Sequence, residues 1–294
     1  MTDQPTPPPR RPVLRAVAGV VCYYVLGFVL FGVAFLPFAR RLTAGLTPDQ
    51  LAQHPPASYI LGQGIGFLVA FGAATWIVGV RALRFNAQSL RLRPRFGPAR
   101  GFGAGLAIGV LPAAVAMMLG VVVGGGGWAR DGGALAAWAI EAGKTGVVLA
   151  PSAVAEELMF RGLPLLLVAG LMGRSGAIVL MSVLFGTAHL GNPGVTAAAV
   201  GNVALAGILL SLAFYSPGGL WAAVGAHLGW NGALAVLGAP VSGLPFEIPF
   251  IDYRMGEPAW LTGGGFGPEG GLIATVALTA TIVFAIRWIR KDPT

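Results

Sequence analysis

The sequence predicts an all-α fold, a polytopic membrane bundle of about eight transmembrane helices, and three observations predict it. Only 10% of its 294 residues are charged, against about 25% in an ordinary soluble domain. Hydrophobic residues make up 55% of the chain and mean hydropathy is +0.76, so polar groups are too few to cover a soluble surface. The apolar residues also fall in runs near the roughly 20 that a helix needs to cross the hydrocarbon core. The 46 glycines agree, because small residues let membrane helices approach closely. In "GFGAGLAIG", Gly101, Gly105 and Gly109 share one helix face.

Residues 1–15, "MTDQPTPPPRRPVLR", are Pro-rich and basic and are expected to be disordered. The apolar run 16–39 is too long for a signal-peptide core of roughly 7–15 residues, and reads as the first span. Further spans are expected near 58–80, 101–124, 137–160, 175–190, 195–215, 218–238 and 271–288. The stretch 162–173 is apolar but too short to cross, and reads as a short or re-entrant helix packed inside the bundle. The expected organisation is a disordered 1–15, N-terminal helices over 16–134, a core over 135–240, and a loop with the last helix over 241–294.

The formal charge of +8 does not point to nucleic acid, because the arginines sit in short loops and at helix ends. Arg81, Arg84, Arg91, Arg93, Arg95 and Arg100 crowd one loop, which the positive-inside rule makes cytoplasmic. The basic N-terminus and "RWIRK" at 287–291 then place both termini inside. The expected location is the bacterial inner membrane. The segment 239–270, with Glu247, Asp252, Glu257 and Glu269 against Arg254, is expected outside. Cys22 is the only cysteine, which excludes an internal disulfide and a multi-thiolate zinc site. The glycine runs at 124–127 and 263–265 lack any Walker-type context and read as loops. The tryptophans read mostly as interface anchors.

Three polar insertions interrupt the apolar helices. "AVAEELMFRG" places Glu156, Glu157 and Arg161 in a lipid-type segment, where a charge costs roughly 2.5–3.5 kcal/mol and marks function by default. Glu157 and Arg161 are i and i+4 and can pair. Glu156 is rotated by about 100° and has no local cation. "FGTAHLGN" carries Phe185 and His189, and "GAHLGWNG" puts His227 and Asn231 on one face. Of the three histidines, His54 reads as a loop residue. A carboxylate can take a proton from water, an imidazole can hold that water, and His with Asn can donate to an oxyanion. Two imidazoles and a carboxylate can instead ligate zinc, which leaves Glu156, His189 and His227 as candidate metal ligands. The same groups can also serve as polar contacts between helices. These boundaries put Glu156 near one end of its span and His189 near the other end of the next. If the two meet, a boundary near Gly162 or Gly173 must shift.

Here the sequence resembles a known family. "EELMFR" (Glu156 to Arg161) is similar to the EExxxR motif of the CPBP intramembrane proteases, the CAAX-prenyl-endopeptidase and bacteriocin-processing (Abi) group. "FGTAH" (Phe185 to His189) is similar to its FxxxH motif, and "HLGWN" (His227 to Asn231) to its HxxxN motif. The resemblance covers roughly 135–240 and makes that segment the expected protease core. It implies a helical bundle whose polar residues face an internal cavity, and an endopeptidase acting on membrane-associated proteins or peptides. Residue by residue it implies Glu156 as activator of the hydrolytic water with His189 as partner, and His227 and Asn231 as oxyanion stabilisers. Glu157 and Arg161 would orient the first motif, with Phe185 in support. Both metal-dependent and glutamate mechanisms fit the resemblance, so zinc stays open as a cofactor. The competing reading is a non-catalytic transport or scaffold protein that uses the buried Glu, Arg and His as a proton or solute path.

Overall fold

A computed structural model describes residues 10–291, with side chains described from 13 to 287. The chain is an all-α bundle. α1 (Arg10–Leu42) is followed by the short α2 (Pro48–Gln53), and α3 (Ala57–Ala74) runs on as a π-helix over Thr75–Ala82. Then come α4 (Pro98–Gly124), α5 (Leu135–Phe160), α6 (Leu163–Thr187), α7 (Ala197–Tyr215), α8 (Gly219–Val236), the one-turn α9 (Ala259–Thr262) and α10 (Leu272–Lys291). Residues 10–15, expected to be disordered, instead extend α1. The rest of that expectation, 1–9, lies outside the described residues.

Five described segments are long and apolar enough to cross a membrane, and one of them, Leu135–Thr187, holds both α5 and α6. α8 is not among them, because His227, Asn231 and its glycines dilute its apolar residues. Large apolar side chains cover the outside of the bundle, such as Val33, Leu111, Val122 and Phe284. That is the surface a lipid solvent permits.

The two ends of the bundle differ. At one end Arg91 donates from Nε to Phe214 O at 2.8 Å and from Nη2 to Tyr215 O at 3.0 Å and Ser216 O at 2.6 Å. It thereby caps the last carbonyls of α7. At the other end β1 (Gly127–Ala129) pairs antiparallel with β2 (Asp252–Arg254). There Trp128 and Trp138 donate to Leu237 O and Val236 O, at 3.0 and 2.8 Å.

Between these ends the path of α5 and α6 settles where the polar motifs lie. α5 stops at Phe160 and the chain breaks at Gly162 (φ −72°, ψ −132°). It does not turn back there. The buried stretch Leu163–Val168 carries the span onward, and the reversal comes at Gly173 (φ 80°, ψ 164°). There Arg174 lies 3.9 Å above the Tyr215 ring, at the Arg91 end. The second half of α6 then climbs back. The boundary that shifts is therefore Gly162, which marks a break inside one crossing.

A helix that ends inside a membrane bundle leaves carbonyls that water cannot satisfy. α1 supplies the partners. Tyr23 donates to Leu158 O at 2.9 Å and Tyr24 to Met159 O at 2.7 Å.

α8 is held by backbone contact. A Cβ on Gly105 or Gly109 of α4 would collide with the carbonyl oxygens of Ala222 and Ala226, and one on Gly225 of α8 with that of Phe102. The expected face of Gly101, Gly105 and Gly109 thus seats the helix that carries His227 and Asn231.

Candidate active site

The Glu157–Arg161 pair of the first motif lands at mid-bundle. Glu157 and Arg161 are both fully buried, and Arg161 Nη1 donates to Glu157 Oε1 at 3.1 Å. The guanidinium also lies 4.1 Å from the Phe185 ring centroid, a cation–π contact that partly replaces water around it. Its Nε and Nη2 have no hydrogen-bond acceptor among the described residues. The expected pair therefore forms. It also does more: the same Oε1 of Glu157 accepts from His227 Nδ1 at 2.8 Å. Glu157 joins the first motif to the third, a link the sequence did not reveal, because nothing in helical spacing relates residues 70 positions apart.

Phe185 explains the spacing of the second motif. Its carbonyl oxygen receives His189 Nδ1 at 2.8 Å. A carbonyl only accepts, so Nδ1 carries the proton and the neutral ring keeps its lone pair on Nε2. The buried Phe185 ring meets both imidazoles edge-on, with centroids 4.9 Å from His189 and 5.8 Å from His227.

Glu156, His189, His227 and Asn231 all line one cavity of about 470 Å³. It reaches from mid-bundle past Ile60 and Gln63 to Ser242 and Phe246, so it opens toward the β1–β2 end. A wider groove beside α3 and α5, holding the exposed His54, shares Ile60 and Phe246 with it. Glu156 is the less enclosed carboxylate. Its side chain is 32% exposed, while its Oε2, 3.8 Å from His227 Nε2, is itself buried and has no hydrogen-bond partner among the described residues. Each histidine thus has Nδ1 tied and Nε2 left over, beside a carboxylate with a free acceptor oxygen.

Two imidazoles and a carboxylate are donors that zinc accepts, but their grouping does not fit it. Among the described residues no group of three or more His, Cys, Asp or Glu side chains is arranged to hold a metal ion.

One residue of the site lies where the sequence placed an external acidic loop. Glu269 is buried. Its Oε1 accepts from Trp230 Nε1 at 2.9 Å, and its Oε2 from the Ser242 amide and, at 3.0 Å, from Ser242 Oγ. Burial raises its carboxyl above the ordinary range, and those three donors act against the rise. Trp230, taken as an interface anchor, is only 6% exposed and belongs to this contact. A cavity of about 30 Å³ borders Glu269, His189, His227 and Asn231. Charge pattern alone could not find Glu269, since a loop carboxylate and a buried one read alike.

Fold and site together define an integral membrane protein of the all-helical class, built around a buried carboxylate–imidazole cluster. Residues 138–233 match the family model described as "Type II CAAX prenyl endopeptidase Rce1-like". This is the family that the three motifs resemble, and the match makes the α5–α8 segment similar to intramembrane CAAX-type proteases. No curated protein and no solved structure matches the chain.

Proposed function

We propose that the protein is an intramembrane endopeptidase that hydrolyses peptide bonds of membrane-associated proteins or peptides, with Glu156 as the base that activates water. The observation that carries this reading is the free Oε2 of Glu156 beside His227 Nε2, in a cavity that also receives His189 and Asn231. Water held between the Glu156 carboxylate and the His189 Nε2 lone pair loses its proton to Glu156 as its oxygen attacks the scissile carbonyl. His227, fixed through Nδ1 by Glu157 and carrying a second proton on Nε2, donates to the oxyanion together with the Asn231 amide. Glu156 then delivers its proton to the leaving amine. No step is routed through a metal. About one zinc per chain, lost together with activity on chelation, would overturn that part of the reading.

The arginine distribution orients the bundle with the Arg91 end in the cytoplasm. The cavity then faces the opposite side, which favours a substrate presented there over a cytosolic prenylated tail. The experiment uses purified protein in liposomes with two quenched peptides, one ending in an S-farnesylated CAAX sequence and one anchored by an apolar helix without a prenyl group. The expected result is cleavage of the helix-anchored peptide, reduced at least about 100-fold by Glu156→Gln. Wild-type protein that cuts neither peptide, or an equally active Glu156→Gln, sinks the proposal. Preferential cleavage of the farnesylated peptide reverses the substrate preference alone.

A further inference from the structure

Glu269 lies outside the family-matched 138–233, on a loop that no motif anchors, yet it borders the same small cavity as His189, His227 and Asn231. The loop that carries it is bolted to the bundle. Asn202 of α7, only 3% exposed, donates from Nδ2 to Glu269 O at 2.8 Å and Gly271 O at 2.9 Å. Its Oδ1 accepts from Thr275 at 2.7 Å. From this fixed base the Glu269 carboxylate holds two walls. One is Trp230, directly before Asn231 on α8 and three residues after His227. The other is Ser242, whose amide and hydroxyl both donate to Oε2. Ser242 sits at a φ of 49°, a left-handed conformation that a non-glycine residue keeps only when its surroundings impose it. Asn192 completes the hold, donating to Ser242 O at 2.9 Å. Ser242 lines both the small cavity and the large one.

We propose that Glu269 is a positioning residue of the hydrolytic site: its carboxylate sets the rotation of α8 through Trp230 and the far wall of the cavity through Ser242, and so aims His227 and Asn231 at the reacting carbonyl. The inference deepens the endopeptidase reading and rests on it for its kinetic consequence; the geometric claim stands by itself. A carboxylate suits the task, since its two oxygens accept from two sides at once. A glutamine offers one oxygen and would turn an N–H₂ toward one of the two donors.

The test has a kinetic and a spectroscopic arm. In liposomes with the helix-anchored peptide, Glu269→Gln is expected to lower kcat by about tenfold to a hundredfold with KM little changed, as displaced catalytic groups do. Trp230→Phe is expected to act through the same contact, so the double variant should lose no more than Glu269→Gln alone. Independent, additive losses, or an unchanged kcat, overturn the proposal. The second arm needs no substrate. With only three histidines in the chain, their ring NMR signals in nanodiscs can be assigned by substitution. Glu269→Gln is expected to move the His227 signal and leave that of His54 in place. An unmoved His227 signal overturns the proposal. A moved His227 signal in a protein that cuts neither peptide upholds the positioning role and discards the endopeptidase reading.

Discussion

Two polar clusters share the interior of this bundle, and they differ in how much bonding capacity they leave unused. Around Glu269 nearly every group is taken: the carboxylate by Trp230 and Ser242, the loop carbonyls by Asn202, and the Asn202 carbonyl by Thr275. Around Glu156 capacity remains, in its own Oε2 and in the second ring nitrogens of two histidines. Membrane interiors penalise a polar group without a partner. A saturated cluster therefore fits a support, and an unsaturated one beside a cavity fits a place where a substrate and water complete the bonding. Glu157 stands between the two kinds, one helix position from Glu156, with its Oε1 used twice and its Oε2 without a partner among the described residues.

The sharpest way to break the contrast is Glu156→Gln. It is expected to lower kcat by about 10²- to 10⁴-fold with the melting temperature in detergent unchanged. A large loss of stability would place Glu156 among the supports. Glu157→Gln comes next. Glutamine keeps one acceptor oxygen but removes the negative charge that Arg161 and His227 share at Glu157 Oε1, and breaking a buried ion pair costs about 3–5 kcal/mol. Thermal unfolding of the purified variant should show it, and activity should fall as well because His227 is held less firmly. Gly109→Ala attacks neither cluster but the seat of α8. The added methyl meets the Ala226 carbonyl, and overpacking of this kind costs about 1–3 kcal/mol. Unchanged melting would mean that α4 and α8 are free to separate.

Smaller effects follow at the edges. Tyr23→Phe removes the donor to Leu158 O, a loss of about 0.5–1.5 kcal/mol, read as a shift in denaturation midpoint. The smallest lies at the β1–β2 end. There Asp131 accepts from the Gly133 and Phe250 amides, both at 2.7 Å, which holds its carboxyl below the ordinary range. A lowered folded pKa contributes stability above the unfolded value and loses it as pH falls through the folded one. The melting temperature of wild type should therefore drop more than that of Asp131→Asn on acidification below about pH 4, and parallel curves would show that this loop tie carries nothing.

Much of this was readable from the residues. The apolar runs placed the long helices within a few positions, because a bilayer allows few lengths. The i, i+4 spacing predicted the Glu157–Arg161 pair, and the ordered motifs led to four side chains that share a cavity. Gly162 misled because it ends a helix without ending a crossing: apolar length counts a span, and the tyrosines that allow the break sit on α1, 135 residues away. Glu269 was missed for a related reason. Its burial depends on a loop folding back between α7 and α10, and no local pattern encodes that return.

The Gly162 break has a consequence for the membrane itself. The cavity descends to Phe160, and behind it Leu163, Leu165, Leu210 and Phe214 belong to one buried apolar cluster on the way to the Arg91 end. Arg161 stands at the bottom with its charge held by Glu157. An apolar layer thus lies between the proposed hydrolytic site and the Arg91 end, a layout expected of a hydrolase rather than of a proton path. Conductance of protein-loaded liposomes under a pH gradient should be no greater than that of empty ones.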